Sequence, residues 1–259
     1  MNLNLNGKVI LVTGGSKGIG LGIVESLIKE KAIPFIIGRD EESIKKVVNK
    51  YKSQDYNISY SVAELSKPND CEKAVRDAVN KYNRIDGVVN NAGDNDGVSL
   101  EKGNYKEFIS SLHKNLIHYY LIAHYSLESL KMSKGVIINI GSKTSFTGQG
   151  GTSGYTASNG GRNSLTREWA VELLPYDIRV NSVIVAECYT PMYERWINTQ
   201  NNPKSKLEKI NKKIPFQNRM TTVEEIADTV VFVLSEKSSH TTGQLIFVDG
   251  GYTHLDRAL

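Results

Sequence analysis

Cysteine is scarce in this chain of 259 residues: it has only Cys71 and Cys188, which are far apart and form no CxxC pair. So few thiols exclude a disulfide framework and a cysteine-rich zinc site, and they suit a reducing cytoplasm. The five histidines form no pairs with carboxylates at metal-ligand spacing, so we expect no metal. Apolar runs long enough for a signal peptide or a transmembrane helix are also missing. We therefore predict a cytoplasmic protein without a membrane partner.

An excess of charge of one sign is absent as well. The chain has 32 Lys and Arg against 28 Asp and Glu, and its lysines are spread along most of its length. Such a surface lacks the clustered basic stripe that a phosphate backbone requires, so we expect no nucleic-acid partner. The length is sufficient for one large domain with a substantial core.

Short β-branched runs alternate with amphipathic segments along the chain. The runs cover residues 9–12, 33–37, 58–62, 88–90, 136–140, 180–185 and 245–248. The amphipathic segments cover residues 20–31, 41–52, 69–82, 105–130, 155–174 and 223–234. Unbroken apolar runs indicate strands covered on both faces, as in a parallel sheet. The alternation predicts an α/β fold: a single doubly wound, Rossmann-type domain over residues 1–259, with a seven-stranded parallel sheet between two helical layers.

Residues 193–215 interrupt this alternation and contain Asn201, Asn202, Pro203 and several lysines. A long excursion after the carboxyl end of a strand is where a substrate lid lies in open α/β sheets. A surface insertion without a role at the site explains the same composition. Both interpretations stay open at this point.

A glycine-rich turn, Thr13-Gly14-Gly15-Ser16-Lys17-Gly18-Ile19-Gly20, separates the first strand from the first helix. Glycines let the backbone approach a pyrophosphate, whose charge is favoured at the amino terminus of a helix. The GxxxGxG spacing differs from the GxGxxG of other dinucleotide folds and resembles the short-chain dehydrogenase/reductase family.

Further motifs of that family follow in the same order and cover nearly the whole chain. Asn90-Asn91-Ala92-Gly93 resembles the family's NNAG segment, and Asn115, Ser142 and Tyr155 stand where the family has its active-site residues. The resemblance implies an NAD(P)-dependent oxidoreductase. It implies contacts to the cofactor from Gly14, Ser16, Lys17, Gly18, Ile19, Arg39, Glu64, Leu65, Asn91, Ala92, Gly93, Tyr155, Asn159, Cys188 and Thr190.

The end of the second strand bears on the choice of cofactor. NAD-dependent members of the family usually have an acidic residue there, but this chain has Gly38 followed by Arg39. The guanidinium of Arg39 can bind a 2′-phosphate, and Lys17 can add a second cation. Alternatively, both cations are solvated and Asp40 holds the ribose of NAD. We expect NADP to be preferred to NAD.

The catalytic residues implied by the resemblance are Asn115, Ser142, Tyr155 and Asn159. Tyrosine is a weak base at neutral pH, because its pKa is near ~10, and the family usually assists it with a lysine four residues on. That position is Asn159, which can bond a ribose hydroxyl but carries no charge. The chain is then a weakened enzyme, a non-catalytic cofactor-binding relative, or an enzyme rescued by Lys143 or Arg162.

The segments around the site resemble the L-fucose dehydrogenase group of the family most closely, including AECYTPMYERWI and the tail VDGGYTHLDRAL. That resemblance implies oxidation of the anomeric hydroxyl of an L-fucose-like aldose. Reduction of non-sugar carbonyl compounds is the alternative. The polar residues expected around the substrate are Ser142, Lys143, Gln149, Tyr155, Glu187 and Trp196. The family also implies a homotetramer that pairs the helices of residues 105–130 and 155–174.

Overall fold

The computed structural model describes residues 1–256 and contains one seven-stranded sheet at its centre. Its strands are β1 (Val9–Thr13), β2 (Ile33–Gly38), β3 (Ser59–Val62), β4 (Gly87–Asn90), β5 (Val136–Ser142), β6 (Arg179–Val185) and β7 (Leu245–Val248). The order is β3-β2-β1-β4-β5-β6-β7, and every pairing is parallel. The predicted Rossmann-type fold is confirmed. The last three residues of the tail quoted above lie outside the described residues.

Ten α-helices connect or flank these strands in the described part of the chain. They are α1 (Gly18–Lys29), α2 (Glu41–Lys52), α3 (Pro68–Tyr82), α4 (Tyr105–Leu112), α5 (His118–Ser133), α6 (Thr144–Thr147), α7 (Ser153–Glu172), α8 (Pro191–Asn198), α9 (Pro203–Asn211) and α10 (Val223–Leu234). The helix predicted for residues 105–130 is divided, because one π-helical turn, His113–Ile117, separates α4 from α5. Periodicity alone does not reveal such a turn, since the backbone remains helical throughout.

Two apolar cores lie on the two faces of the sheet. On one face, α1, α2 and α10 pack against the strands through side chains such as Ile23, Val47 and Ile226. On the other face, α3, α5 and α7 contribute Cys71, Tyr119 and Trp169. Strands between two apolar layers have no solvated face, which explains why all five residues of β1 are buried.

Residues 193–215 belong mostly to two short helices and not to an irregular loop. The side chain of Asn202 accepts a bond from the Ser205 N–H and caps α9, whose first residue is Pro203. The residues that resembled a loop are therefore helix-start signals. Ile197 and Ile214 are buried, whereas α9 itself buries no residue.

No helix within residues 1–256 combines the length and the apolarity needed to cross a membrane. Over the same residues, His, Cys, Asp and Glu side chains do not gather in groups of three that could hold a metal ion.

Candidate active site

The strand order reverses between β1 and β4, and the loops that leave these two strands lie side by side at the carboxyl edge of the sheet. Such a position is where open α/β sheets bind their ligands. Thr13, the last residue of β1, joins the loops through its side chain, because its Oγ1 accepts bonds from the N–H groups of Asn91 (2.8 Å) and Ala92 (3.0 Å). Asn91 Nδ2 donates in return to the Thr13 carbonyl at 2.9 Å. These bonds tie the Asn90–Gly93 segment to the end of β1.

The glycine-rich turn has the geometry that a pyrophosphate requires. Gly14 and Gly18 have φ of +67° and +52°, in the left-handed region that favours glycine. A Cβ atom on Gly20 would lie 2.3 Å from the Gly14 carbonyl oxygen, so no other residue fits there. Helix α1 begins at Gly18 without a side-chain cap, which leaves its first N–H groups free for an anion. The residues present therefore fit the phosphates of a dinucleotide.

Thr190 lies close to this turn, as its predicted cofactor role requires. Its methyl carbon would be 3.4 Å from a Cβ on Gly18, and its hydroxyl caps α8 by accepting the Tyr193 N–H. Cys188, two residues earlier, is buried, and its burial raises the pKa of the thiol to about 12. The Cys188 side chain is therefore a neutral core group, and its predicted cofactor contact rests on its backbone.

The charged residues after β2 form two ion pairs. Lys17 Nζ lies 2.6 Å from Asp40 Oδ2, and one guanidinium nitrogen of Arg39 lies 3.5 Å from Glu64 Oε2. Asp40 also caps α2, because its Oδ1 accepts the Ser43 N–H and its Oδ2 accepts the Ser43 hydroxyl. The bond from Lys17, followed by those from Ser43, holds the pKa of Asp40 well below its usual range.

Asn115 occupies the π-helical turn and is fully buried. Its side-chain amide bonds both backbone groups of Asp94: Nδ2 donates to the Asp94 carbonyl at 2.9 Å and Oδ1 accepts the Asp94 N–H at 2.8 Å. These bonds fix the chain just after Gly93 to the start of α5. The backbone carbonyl of Asn115 accepts a bond from Arg162 Nε at 2.7 Å.

Ser142 ends β5, and Tyr155 lies in the first turn of α7. Ser142 is paired with Val185 at the end of β6, and its hydroxyl accepts a bond from the Thr144 hydroxyl at 3.2 Å. Tyr155 is half-buried. Asn159 is fully buried one turn further on, where its Nδ2 donates to the Tyr155 carbonyl and its Oδ1 accepts from Arg162 Nη1.

A partly buried ion pair borders this edge of the sheet next to Ser142. Lys143 Nζ donates to Glu187 Oε1 and lies 3.9 Å from the centre of the Tyr252 ring. The Tyr193 hydroxyl is buried close by, and burial, followed by the negative charge of Glu187, raises the pKa of Tyr193. The structure brings together two of the predicted substrate residues and adds Tyr193 and Tyr252, which the sequence analysis did not single out.

Two further predicted substrate residues lie at the surface. Trp196 is 42% exposed and packs edge-on against Tyr193 at 5.2 Å between ring centres. Gln149 is exposed in a loop where Gly148, Gly150 and Gly151 all have positive φ. Their roles at the site stay predictions. Tyr193 could have been predicted at the site from its spacing to Trp196 in YERW. Tyr252 could not, because it lies far along the chain from Lys143.

Comparisons with known proteins agree with this geometry. A family profile described as short chain dehydrogenase matches residues 8–201. The chain is 32% identical to a 3-oxoacyl-[acyl-carrier-protein] reductase of Chlamydia pneumoniae, over 98% of this chain and 100% of the relative. It is 28% identical to the L-fucose dehydrogenase of Bos taurus, over 97% of this chain and 91% of that one.

A crystal structure of Cj0485 dehydrogenase superimposes with a TM-score of 0.94 and 42% identity, covering 100% of this chain and 99% of that one. The match spans both the predicted cofactor loops and the predicted catalytic residues. The chain belongs to the short-chain dehydrogenase/reductase family and is an NAD(P)-dependent oxidoreductase.

Proposed function

We propose that the protein oxidises the anomeric hydroxyl of an L-fucose-like aldose to the lactone, with NADP preferred to NAD. The observation that carries this proposal is the partly buried Lys143–Glu187 ion pair beside Ser142. Ammonium and carboxylate groups retain donors and acceptors for several substrate hydroxyls. An acyl chain or a steroid seated on these charges would deprive them of polar partners, which is costly.

Aromatic rings lie beside the ion pair and on the neighbouring helix α8, and together they offer a surface suited to a sugar ring. Tyr252 lies against Lys143, and Tyr193 and Trp196 pack against each other on α8. Aromatic side chains offer an apolar face together with a polar edge, which matches the mixed faces of a pyranose. Because Tyr193 and Trp196 lie on the helix that follows Thr190, this interpretation favours a lid role for the segment of residues 193–215.

The proposed oxidation requires Ser142, Tyr155 and the nicotinamide cofactor, each with a separate role. The nicotinamide supplies the acceptor for the hydride that leaves the anomeric carbon. Ser142 holds the reacting oxygen by a hydrogen bond, and the Tyr155 phenolate accepts the hydroxyl proton. The C–H and O–H bonds break, the C=O bond of the lactone forms, and the proton passes from Tyr155 to solvent.

The bonds of Asp40 support the preference for NADP. Both of its carboxylate oxygens are engaged, one by the Ser43 N–H and the other by Lys17 and the Ser43 hydroxyl. The acid that could hold the ribose diol of NAD is therefore occupied as a helix cap. Arg39 has a side chain that is 72% exposed and makes one long contact to Glu64, which leaves it able to reach a 2′-phosphate.

The names of two relatives support two different candidate functions. A relative named L-fucose dehydrogenase agrees with the sugar proposal, whereas a relative named 3-oxoacyl-[acyl-carrier-protein] reductase favours reduction of a non-sugar carbonyl group. Asn159 favours a third function, a cofactor-binding protein without catalysis. We place the proposed activity in the cytoplasm, because both cysteines are free thiols.

Turnover of a panel of substrates with both cofactors separates these functions. The panel contains L-fucose, D-arabinose, L-galactose, a simple alkyl alcohol, a steroid alcohol and an acetoacetyl thioester, and the readout is the absorbance of the reduced nicotinamide. We expect the highest kcat/KM for L-fucose or a sugar of the same pyranose configuration. Preference for the thioester or an apolar alcohol overturns the sugar proposal, and binding of NADP without turnover of any substrate supports the non-catalytic function.

A further inference from the structure

Arg162 is a buried cation in the core of the catalytic site. It lies on α7 seven residues after Tyr155, on the same face of the helix, and is 3% exposed. Its guanidinium donates to the Asn115 carbonyl at 2.7 Å, to the Ile140 carbonyl at 3.0 Å and to Asn159 Oδ1 at 3.0 Å. All three acceptors are neutral, so these bonds hold the guanidinium in place but do not balance its charge.

The neighbours of Arg162 within residues 1–256 provide no counter-ion in contact with it. His118, from α5, is buried, and its burial followed by the charge of Arg162 lowers its pKa to about 3, so the ring is neutral. Tyr119, whose ring lies 4.1 Å from the guanidinium carbon, has its pKa raised to about 12 by burial. The carboxylates of Asp96 and Glu187 are paired with Lys114 and Lys143. A buried charge without a partner is costly, which indicates that its counter-ion arrives during function.

One nitrogen of the guanidinium lies beside the loop that follows β4. Nη2 is buried without a hydrogen-bond partner, and a Cβ atom on Gly93 would lie 3.1 Å from it. The guanidinium carbon lies 6.0 Å from the centre of the Tyr155 ring. An unused donor therefore lies at the loop that carries predicted cofactor-binding residues, in a guanidinium that is itself close to the Tyr155 ring.

Lys143 is not a cation without a counter-ion, although it follows Ser142 directly. Its ammonium group is paired with Glu187 and lies over the ring of Tyr252. A cation that is already neutralised stabilises a second anion only weakly. Of the two cations that the sequence offered in place of the missing lysine, the geometry selects Arg162.

We propose that Arg162 supplies the positive charge that the family's lysine supplies, with the Tyr155 phenolate as its counter-ion and Asn159 as the residue that positions it. This inference rests on the proposed function only in that it names the cation of the same reaction, whichever substrate is oxidised. Asn159 is suited to the positioning role, because its amide bonds Tyr155 and Arg162 at once. A lysine at position 159 would bring a second cation against the guanidinium.

The ionisation of Tyr155 tests this proposal without any substrate. Tyrosine labelled with ¹³C at the ζ carbon is titrated by NMR, and the Tyr155 signal is assigned by its absence in Tyr155→Phe. We expect Arg162→Leu to move the Tyr155 titration to higher pH by roughly one to three units, because the cation is lost. Turnover at neutral pH should fall by about ten- to a thousandfold for the same reason. Arg162→Lys, which keeps a positive charge, should retain most of both properties.

A rescue experiment distinguishes loss of charge from loss of structure. The double variant Asn159→Lys/Arg162→Leu restores the usual family arrangement and should recover the titration and the turnover. Asn159→Lys alone should improve neither. Arg167→Leu, on the exposed side of the same helix, is the matched control and should leave the titration unchanged.

Three outcomes overturn the proposal: a Tyr155 titration that is indifferent to Arg162→Leu, a failure of the double variant to recover in a folded protein, or a gain from Asn159→Lys alone. Circular dichroism establishes folding for each variant. If the titration behaves as expected but no sugar is oxidised, the inference about Arg162 stands and the proposed substrate is wrong.

Discussion

Asp40 and Arg39 show how hydrogen bonds to neighbouring residues determine which charged side chain is available to a cofactor. An aspartate near the end of β2 resembles an NAD-selecting acid, but its oxygens bond Ser43 and Lys17. The arginine beside it has a side chain that is 72% exposed, and its guanidinium lies 3.5 Å from Glu64 Oε2. At the scale of single residues, we therefore expect the choice between NADP and NAD to depend on the exposed Arg39 guanidinium and not on the Asp40 carboxylate, which is already bonded.

We predict that Arg39→Ala weakens the binding of NADP and leaves the binding of NAD nearly unchanged. The expected loss is about 1.5–3 kcal/mol, the range for a hydrogen bond to a charged group, or roughly ten- to a hundredfold in Kd. Fluorescence titration with each reduced cofactor measures it. Arg76→Ala, which removes an exposed arginine of α3, is the control. Equal affinities of the unaltered protein for both cofactors would contradict the predicted preference.

Glu187 provides the corresponding test on the substrate side. Glu187→Ala removes an acceptor for sugar hydroxyls and leaves Lys143 as a buried cation without its partner. We predict a higher KM for the sugar by about ten- to a hundredfold, the loss of roughly 1.5–3 kcal/mol expected for a bond to a charged group. The affinity for NADP, measured by fluorescence, should change little. A variant that loses cofactor binding together with sugar binding would indicate a structural role for the pair.

At the scale of elements, the packing of α1 against α10 fixes the glycine-rich turn. A Cβ atom on Gly22 would lie 2.1 Å from Val223 Cγ1, so the two helices approach too closely for any side chain at that point. Val223 opens α10, whose capping box joins Thr222 and Glu225 and which Arg219 reinforces. A displacement of α10 would therefore move α1 and the N–H groups that face the cofactor.

We predict that Gly22→Ala destabilises the protein by about 1–3 kcal/mol, the cost of overpacking a core contact. The helical substitution Gly160→Ala is the matched control, because a Cβ atom there meets nothing within 4 Å. That control should be neutral or stabilising by up to ~1 kcal/mol, since alanine is the better helix former. Urea unfolding followed by circular dichroism measures both. Equal effects of the two substitutions on the free energy of unfolding would show that α1 and α10 can move apart without destabilising the protein.

At the scale of the whole molecule, the assembly implied by the family is still a prediction. Helices α4, α5 and α7 carry large side chains at the surface, among them Tyr105 (78% exposed), Tyr120 (48%) and Val171 (68%). We expect these helices to pair with those of neighbouring subunits in a homotetramer. Apolar groups at this exposure are stabilised when a second subunit covers them.

The double variant Tyr120→Glu/Val171→Glu should shift the protein from tetramer to smaller species, because two buried carboxylates would face the neighbouring subunit. Light scattering after size-exclusion chromatography gives the mass of each species. Tyr56→Glu, an exposed tyrosine beyond α2, is the control and should leave the mass unchanged. A tetramer that survives the double variant excludes these helices as the interface.

The fold and the cofactor loops were predictable because their signals are local. Apolar runs such as Val9–Thr13 are buried on both faces in the structure. The glycines of the turn are required by the local backbone conformation, because Gly14 and Gly18 have positive φ. The helix starts at Pro191 and Pro203 were also present in the sequence, as cap residues followed by proline. The segment of residues 193–215 was not predicted as helical, because residue types such as Asn201, Asn202 and Pro203 also favour turns.

The sequence by itself determined the α/β architecture, the order of the motifs and the loss of the lysine at Asn159. Only the tertiary structure decided which cation stands near Tyr155, because Arg162 and Lys143 differ in their partners and not in their charge. It also decided that Asp40 is a helix cap and that Tyr252 approaches Lys143 from the far end of the chain. A residue type states which interactions are possible, whereas the choice among them depends on groups that are distant in sequence and adjacent in space.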